Sequence, residues 1–169
     1  MIKPMLAQKV NTKPIDWTNK VFVQPKLDGV RCIFTKDGAY SRNHKQFKNV
    51  DHLQDDLQDF FKKFPDIVLD GELYNHALKQ DFEKIISLVR KQKPSEQDRS
   101  EASNLVQFHV YDVITEPNFT YEFRHNMLAL QLPIAKSITL IKNTVVENLD
   151  EAKMLHDVHL AQGYEGSML

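Results

Sequence analysis

Lys26-Leu27-Asp28-Gly29-Val30-Arg31 sets a lysine directly after a β-type run, with a carboxylate two residues on and a guanidinium five on. Three charged groups at one sheet edge can handle a phosphate ester. Lysine attacks phosphorus only when unprotonated, so a covalent role requires desolvation or neighbouring cations to depress its pKa. Arginine brings a planar fork matched to phosphate oxygens, and Gly29 lets the backbone pass close to a ligand. Taken alone, the segment reads as a polar turn. Four further stretches add to it: Ser41-Arg42-Asn43, Asp70-Gly71-Glu72-Leu73, Phe108-His109-Val110-Tyr111-Asp112 and Glu165-Gly166. Each has a plainer reading. Glu72 and Glu165 could be surface acids at strand ends, Tyr111 a core ring, Arg42 a solvated hairpin residue and Asp112 a brace for a neighbouring loop.

In this order the five segments resemble the covalent nucleotidyltransferase superfamily, and most closely the adenylation domain of ATP-dependent DNA ligases. Pro4-Met5-Leu6-Ala7 is similar to the stretch those ligases carry ahead of the nucleophile, so the likeness runs from residue 4 to residue 166. The resemblance implies an enzyme that uses ATP and Mg2+ to form lysyl-AMP on the way to sealing nicked duplex DNA, in replication, repair and recombination. Lys26 matches the nucleophile that attacks the α-phosphorus and releases pyrophosphate. Asp28 and Arg31 match residues that serve the later steps and contact the nucleotide or the nick phosphate. Arg42 matches an arginine on the phosphate side, and Glu72 a carboxylate that accepts from ribose hydroxyls. Tyr111 matches the ring that stacks on adenine, where either face of a purine suits an aromatic. Glu165 matches a carboxylate that helps hold a divalent cation, and Mg2+ suits a shell completed by phosphate oxygens. The implied partners are ATP and nicked duplex DNA, with no membrane and no obligate protein partner.

Members of that family continue past the Glu-Gly motif into a Lys-x-Lys strand and an oligonucleotide-binding (OB) domain. Leu169 comes three residues after Gly166. The expectation is therefore that residues 1–169 form a C-terminally incomplete adenylation domain with no OB domain. Little or no sealing by this chain alone follows, and a sheet edge left unpaired near Tyr164 to Leu169. Two other readings stay open: an RNA ligase or guanylate-transferring capping enzyme, which share the Lys-x-Asp-Gly or Lys-x-x-Gly core, and a non-catalytic remnant that binds ATP or DNA. The sequence contains no Walker-type phosphate loop. His156 and His159 lack a third ligand at suitable spacing and read as ordinary histidines. Cys32 reads as packed.

The elements that must position these residues follow from periodicity. Val21-Phe22-Val23-Gln24-Pro25 reads as a strand stopped by Pro25, and Val30 to Thr35 with Ala39-Tyr40-Ser41 as a hairpin across Lys36-Asp37-Gly38. Val50, Leu53, Leu57, Phe60, Phe61 and Phe64 recur at helical spacing and predict one helix ending before Pro65. A strand over Ile67-Val68-Leu69 runs into Asp70, and a helix follows from about Asp81 to Lys91. Lys91 to Asn104 has six charged residues and one apolar residue, Ala102, and is expected to be a surface loop. Leu105 to Ile114 is a strand with Val106, Phe108 and Val110 on one face. A helix over Tyr121 to Leu132, a β run over Ile138 to Glu147, a helix N-capped by Asp150 and a strand from Tyr164 complete the chain. The fold class expected is α+β, with mainly antiparallel sheets flanked by helices.

Composition agrees with one folded unit. The 169 residues are 41% hydrophobic and 27% charged, enough to bury a core without disulfides or a structural metal. The longest apolar run, Met127 to Leu130, is four residues, too short for a membrane span, and Met1-Ile2-Lys3-Pro4-Met5 lacks a signal-peptide stretch. A single cysteine fits a reducing, intracellular setting, so a cytoplasmic location is expected, and the family resemblance admits a bacterial, viral or phage context. Net charge is −1, but residues 1–48 hold ten Lys or Arg against three acids, and residues 49–169 hold twelve against twenty. A basic first third on an acidic body suits a polyanion at one face.

Overall fold

Strand β2 (Val30–Thr35) turns through Lys36-Asp37 into β3 (Gly38–Tyr40), forming the expected hairpin. In this computed structural model, which describes residues 4–10, 14–115 and 119–169, the hairpin opens the larger of two units, residues 29–140. β4 (Val68–Tyr74) pairs antiparallel with β2, and β5 (Gln107–Ile114) with β4. β6 (Ile138–Leu140) joins β5 in parallel, giving the order β3-β2-β4-β5-β6.

Alternation decides what each face of this sheet carries. Cys32, Phe34, Leu69, Leu73, Phe108 and Val110 turn to one face and are buried there. Helices α1 (Asp51–Asp56), α2 (Gln58–Lys63), α3 (Phe82–Val89) and α4 (Glu96–Leu105) supply Leu53, Phe60, Phe61, Ile85, Leu88 and Ala102 to the same core. α5 (Tyr121–Gln131) adds Leu128. Phe34 lies between the rings of Phe61 and Phe108, at 6.1 and 5.3 Å between centroids. Truncating such a buried ring costs about 3–5 kcal/mol, so this stack anchors the sheet that bears the polar face described below.

Several expectations need correction. Residues 50–64 form two short helices, because Leu57, at φ −91° and ψ 0°, kinks the run while staying fully buried. Lys91 to Asn104 is largely helical. Ser95 Oγ accepts from the Asp98 amide at 3.2 Å, and the Asp98 carboxylate accepts from the Ser95 amide at 2.9 Å, so a capping box starts α4. The Lys91 ammonium, and after it the bonds from Ser95, pull the Asp98 carboxyl down to about 2. The run from Ile138 to Glu147 divides into β6 and β7 (Thr144–Val146), which belong to different units. The last long helix, α6 (Leu149–Ala161), is capped by Asn148 rather than Asp150: its side chain accepts from the Glu151 amide at 2.9 Å.

The smaller unit joins the residues up to Asp28 to Ile141–Leu169. β1 (Val21–Lys26) pairs with β7 over Val21–Val23 and with β8 (Gly166–Met168) over Gln24–Lys26, all antiparallel, in the order β7-β1-β8. The strand does not stop at Pro25. Pro25 has one ladder neighbour, Ser167, an edge-like position that proline tolerates. Val23, Val146 and Ala152 make a small core with Trp17, Val21 and Leu155 packed on it. Among the described residues no helix is long and apolar enough to cross a membrane.

Candidate active site

In the larger unit the polar face of the sheet gathers three of the residues singled out by sequence. Arg31 and Glu72 are cross-strand partners on β2 and β4, and Asp70 lies two residues from Glu72 on the same face. The Arg31 guanidinium forks onto Asp70, Nε to Oδ1 at 2.7 Å and one terminal nitrogen to Oδ2 at 2.6 Å. Burial disfavours the Arg31 charge, but the Asp70 bonds and the nearby Tyr111, Asp70 and Glu72 outweigh it and raise the arginine pKa. Burial pushes the Asp70 carboxyl up, with Arg31 opposing.

Tyr111 enters through a defect in the ladder. The β4–β5 register shifts between Asp70 and Gly71, so Asp70 pairs with Asp112 and Gly71 with Val110. The skipped residue is Tyr111, and the bulge sets Tyr111 and Asp112 side by side on the polar face. The Tyr111 hydroxyl donates to Glu72 Oε2 at 3.3 Å, and Arg31 lies over its ring at 4.9 Å from the centroid. Burial, then the Glu72 and Asp70 charges, drive the phenol pKa far up, which keeps Tyr111 a neutral donor. Asp112 takes a second fork, from Arg124 of α5, with both bonds at 2.8 Å, and so braces α5 against β5. Gly29 is required beside this face: a Cβ there would come to 2.5 Å from Glu72 Cγ and 2.6 Å from the Leu73 carbonyl.

In the smaller unit, strand register brings the two ends of the sequence together. Lys26 pairs with Gly166, and the Glu165 amide donates to the Lys26 carbonyl at 3.0 Å. The Glu165 carboxylate then forms an ion pair with the Lys26 ammonium. β8 is held from behind by α6: buried His159 shares a 2.7 Å hydrogen bond through Nδ1 with Ser167 Oγ, and its ring meets Tyr164 edge-on. His156 lies against Gly166, so both histidines serve packing of the strand.

Asp28 and Arg42 are exposed and engage no other side chain among the described residues. Arg42 sits in the turn after β3, and the chain passes between units at Asp28-Gly29. Cys32 is buried, and burial pushes its thiol pKa well up, as befits a packed residue. Sequence reasoning missed Asp70 as the partner of Arg31. The available signal was its spacing of two from Glu72, which puts both carboxylates on one face of a strand.

This α+β fold, with antiparallel sheets and a lysine at a strand end, is that of DNA ligase adenylation domains. A Lig E DNA ligase superposes with a TM-score of 0.76 at 18% identity, covering 99% of this chain and 60% of that one. The bacteriophage T7 ATP-dependent DNA ligase, solved in complex with ATP, superposes at 0.66 and 18% identity over 88% of this chain and 55% of that one. The family described as the ATP dependent DNA ligase domain matches residues 4–169, and the chain belongs to it. The DNA ligase of African swine fever virus is 29% identical over 100% of this chain and 41% of its own length. The chain thus spans less than half the length of this curated relative.

Proposed function

We propose that this chain is the adenylating part of an ATP-dependent DNA ligase acting on nicked duplex DNA, with Lys26 as the nucleophile. The Lys26 amine, having given up a proton and left Glu165, attacks the α-phosphorus of ATP. A P–N bond forms, the bond to the β-phosphate oxygen breaks, and pyrophosphate leaves with the electron pair. AMP then passes to the 5′-phosphate at the nick, and the 3′-hydroxyl displaces it. Glu72 accepts from the ribose hydroxyls, Tyr111 stacks on adenine, and Arg31 and Arg42 meet phosphate oxygens. Asp28 serves the later transfers.

Glu165 would hold Mg2+. Among the described residues no group of three or more His, Cys, Asp or Glu is arranged to hold a metal ion. A lone carboxylate fits Mg2+, which takes one or two carboxylates and completes its shell with substrate phosphates and water. When bound it would supply charge neutralisation on those phosphates.

The observation that carries the reading is the β1–β8 register, which presents Lys26 at a strand end with a carboxylate on its ammonium in a member of this family. The test uses ATP labelled at the α or the γ phosphate, followed by a denaturing gel. Label from the α position should stay with the chain, label from γ should not, and added pyrophosphate should strip it. GTP labelling in place of ATP would point to a capping enzyme instead. Bound ATP with no denaturation-resistant label would support a non-catalytic domain.

A further inference from the structure

Helix α5 is held to the larger unit along one side. Leu128 is fully buried in the core, and Arg124 forks onto Asp112 of β5. Phe123 and Leu130 project from the opposite side, about two turns apart on one face. The exposed large apolar side chains of the larger unit, among the described residues, are Phe119, Phe123, Leu130 and Ile134. All belong to this helix or its immediate flanks, so a row of apolar surface runs along α5. Phe119 precedes the N-cap Thr120 and stacks on Phe123 at 4.5 Å between ring centroids. That contact braces the first turn and is a sufficient local reason for Phe119. Leu130 is 80% exposed and Ile134 fully exposed, and no contact within the chain accounts for either.

The row is self-complementary. Its members are separated by four, seven and four residues, a spacing that is the same from either end. Two antiparallel copies of α5, related by a two-fold axis between Asn126 and Met127, therefore set Phe123 of one against Leu130 of the other. The same operation brings Phe119 toward Ile134 at each end, and sets Asn126 on Asn126 and Met127 on Met127 beside the axis. Groups that meet their own copies must not repel, and these two carry no charge. The exposed Asn126 side chain has no hydrogen-bond partner among the described residues. A carboxamide both donates and accepts, so it can pair with its own copy and fix the register. Glu122 and Arg124 flank the row without entering it, so a charged partner, nucleic acid included, meets no counter-charge there. The chain's net charge of −1 adds little repulsion between copies.

We infer that the outer face of α5 is a seam for a second copy of this chain, paired antiparallel with Phe123 against Leu130. The inference does not depend on the ligase reading. The row offers roughly 500 Å2 of apolar surface per copy, at the upper end of what monomers leave exposed. That is less than the roughly 800 Å2 per partner of a stable interface. The dimer should therefore be weak and reversible, with a Kd on the order of 10–100 μM.

The experiment is sedimentation velocity of the full 169-residue chain from about 1 to about 500 μM, over which the average mass should rise from monomer toward dimer. Leu130→Glu and Phe123→Lys should each weaken association at least about tenfold. Both positions are exposed, so urea unfolding should show each variant folded like the parent. Mixing the two variants reads the register. Phe123→Lys in one chain then faces Leu130→Glu in the other, and the mixture should dimerise where neither variant alone does. Met154→Glu, at an exposed apolar position of α6, is the control and should leave association unchanged. A parent that stays monomeric throughout the range overturns the proposal. So does a loss in Met154→Glu equal to that in Leu130→Glu, which places the association elsewhere. A mixture no more dimeric than its components removes the antiparallel register and overturns it too. Labelling by ATP fails separately: a dimer that takes no label refutes the adenylation alone, and a labelled monomer refutes the seam alone.

Discussion

Asp70→Ala removes the acceptor of both Arg31 bonds from a position where Asp70 is 7% exposed. Breaking a buried pair from one side costs about 3–5 kcal/mol, because a charge is left uncompensated. The Arg31 side chain keeps 29% of its exposure, so water restores part of its solvation and the expected loss is about 2–3 kcal/mol. Arg31→Ala strands the carboxylate instead. Burial already raises the Asp70 pKa, and losing the guanidinium raises it further. A carboxyl whose folded pKa lies above its unfolded value stabilises the fold at low pH and loses that contribution as pH rises through the folded pKa. The penalty of Arg31→Ala should therefore be largest near neutrality and shrink as the solution is acidified. Urea unfolding of the parent, both single variants and the double variant at pH 7 measures the coupling, at unchanged m-value. The double variant should lose about 2 kcal/mol less than the sum of the singles. Additive losses would show that the pair does not organise this face.

Tyr111→Ala should weaken ATP binding by about 1–3 kcal/mol in calorimetric titration, the range for base–aromatic stacking. Tyr111→Phe keeps the ring and loses only the 3.3 Å bond to Glu72, so a cost within about 1 kcal/mol is expected. Glu72→Ala should weaken ATP more than 2′-deoxy-ATP, and equal losses would remove Glu72 from the ribose. Buried His109 has its pKa lowered from 6.5 to about 4, by burial first and then by His76. Its depressed folded value stabilises the protein above about pH 6.5. That contribution, at most about 3 kcal/mol, should disappear between pH 6.5 and pH 4. Thermal melts across that range should be flatter for His109→Phe, and parallel curves would contradict the assignment.

What the sequence made legible was local. Cys32 with Phe34, Leu69 with Leu73 and Phe108 with Val110 alternate cleanly, and the hairpin across Lys36-Asp37 has its turn residues in place. Strict alternation would have turned Asp112 into the core. The bulge that prevents it depends on the register of β4 against β5, which neither strand encodes alone. α4 escaped notice because a capping box starts it while only Ala102 is buried, so almost no apolar period was there to read. Ile138 to Glu147 looked like one strand because its β-type residues are continuous, and tertiary pairing divides it. Lys26 was visible as a reactive type. Its pairing with Glu165, near the other end of the chain, arises only from the β1–β8 register.

The most direct test of the central claim is intact-mass analysis of the chain after incubation with ATP and Mg2+, followed by peptide mapping of the adduct. The account predicts one AMP per chain, joined through a P–N bond to Lys26, and no adduct in Lys26→Ala, which should unfold at the same urea concentration as the parent. An AMP adduct on another lysine, or one that persists in Lys26→Ala, would contradict it.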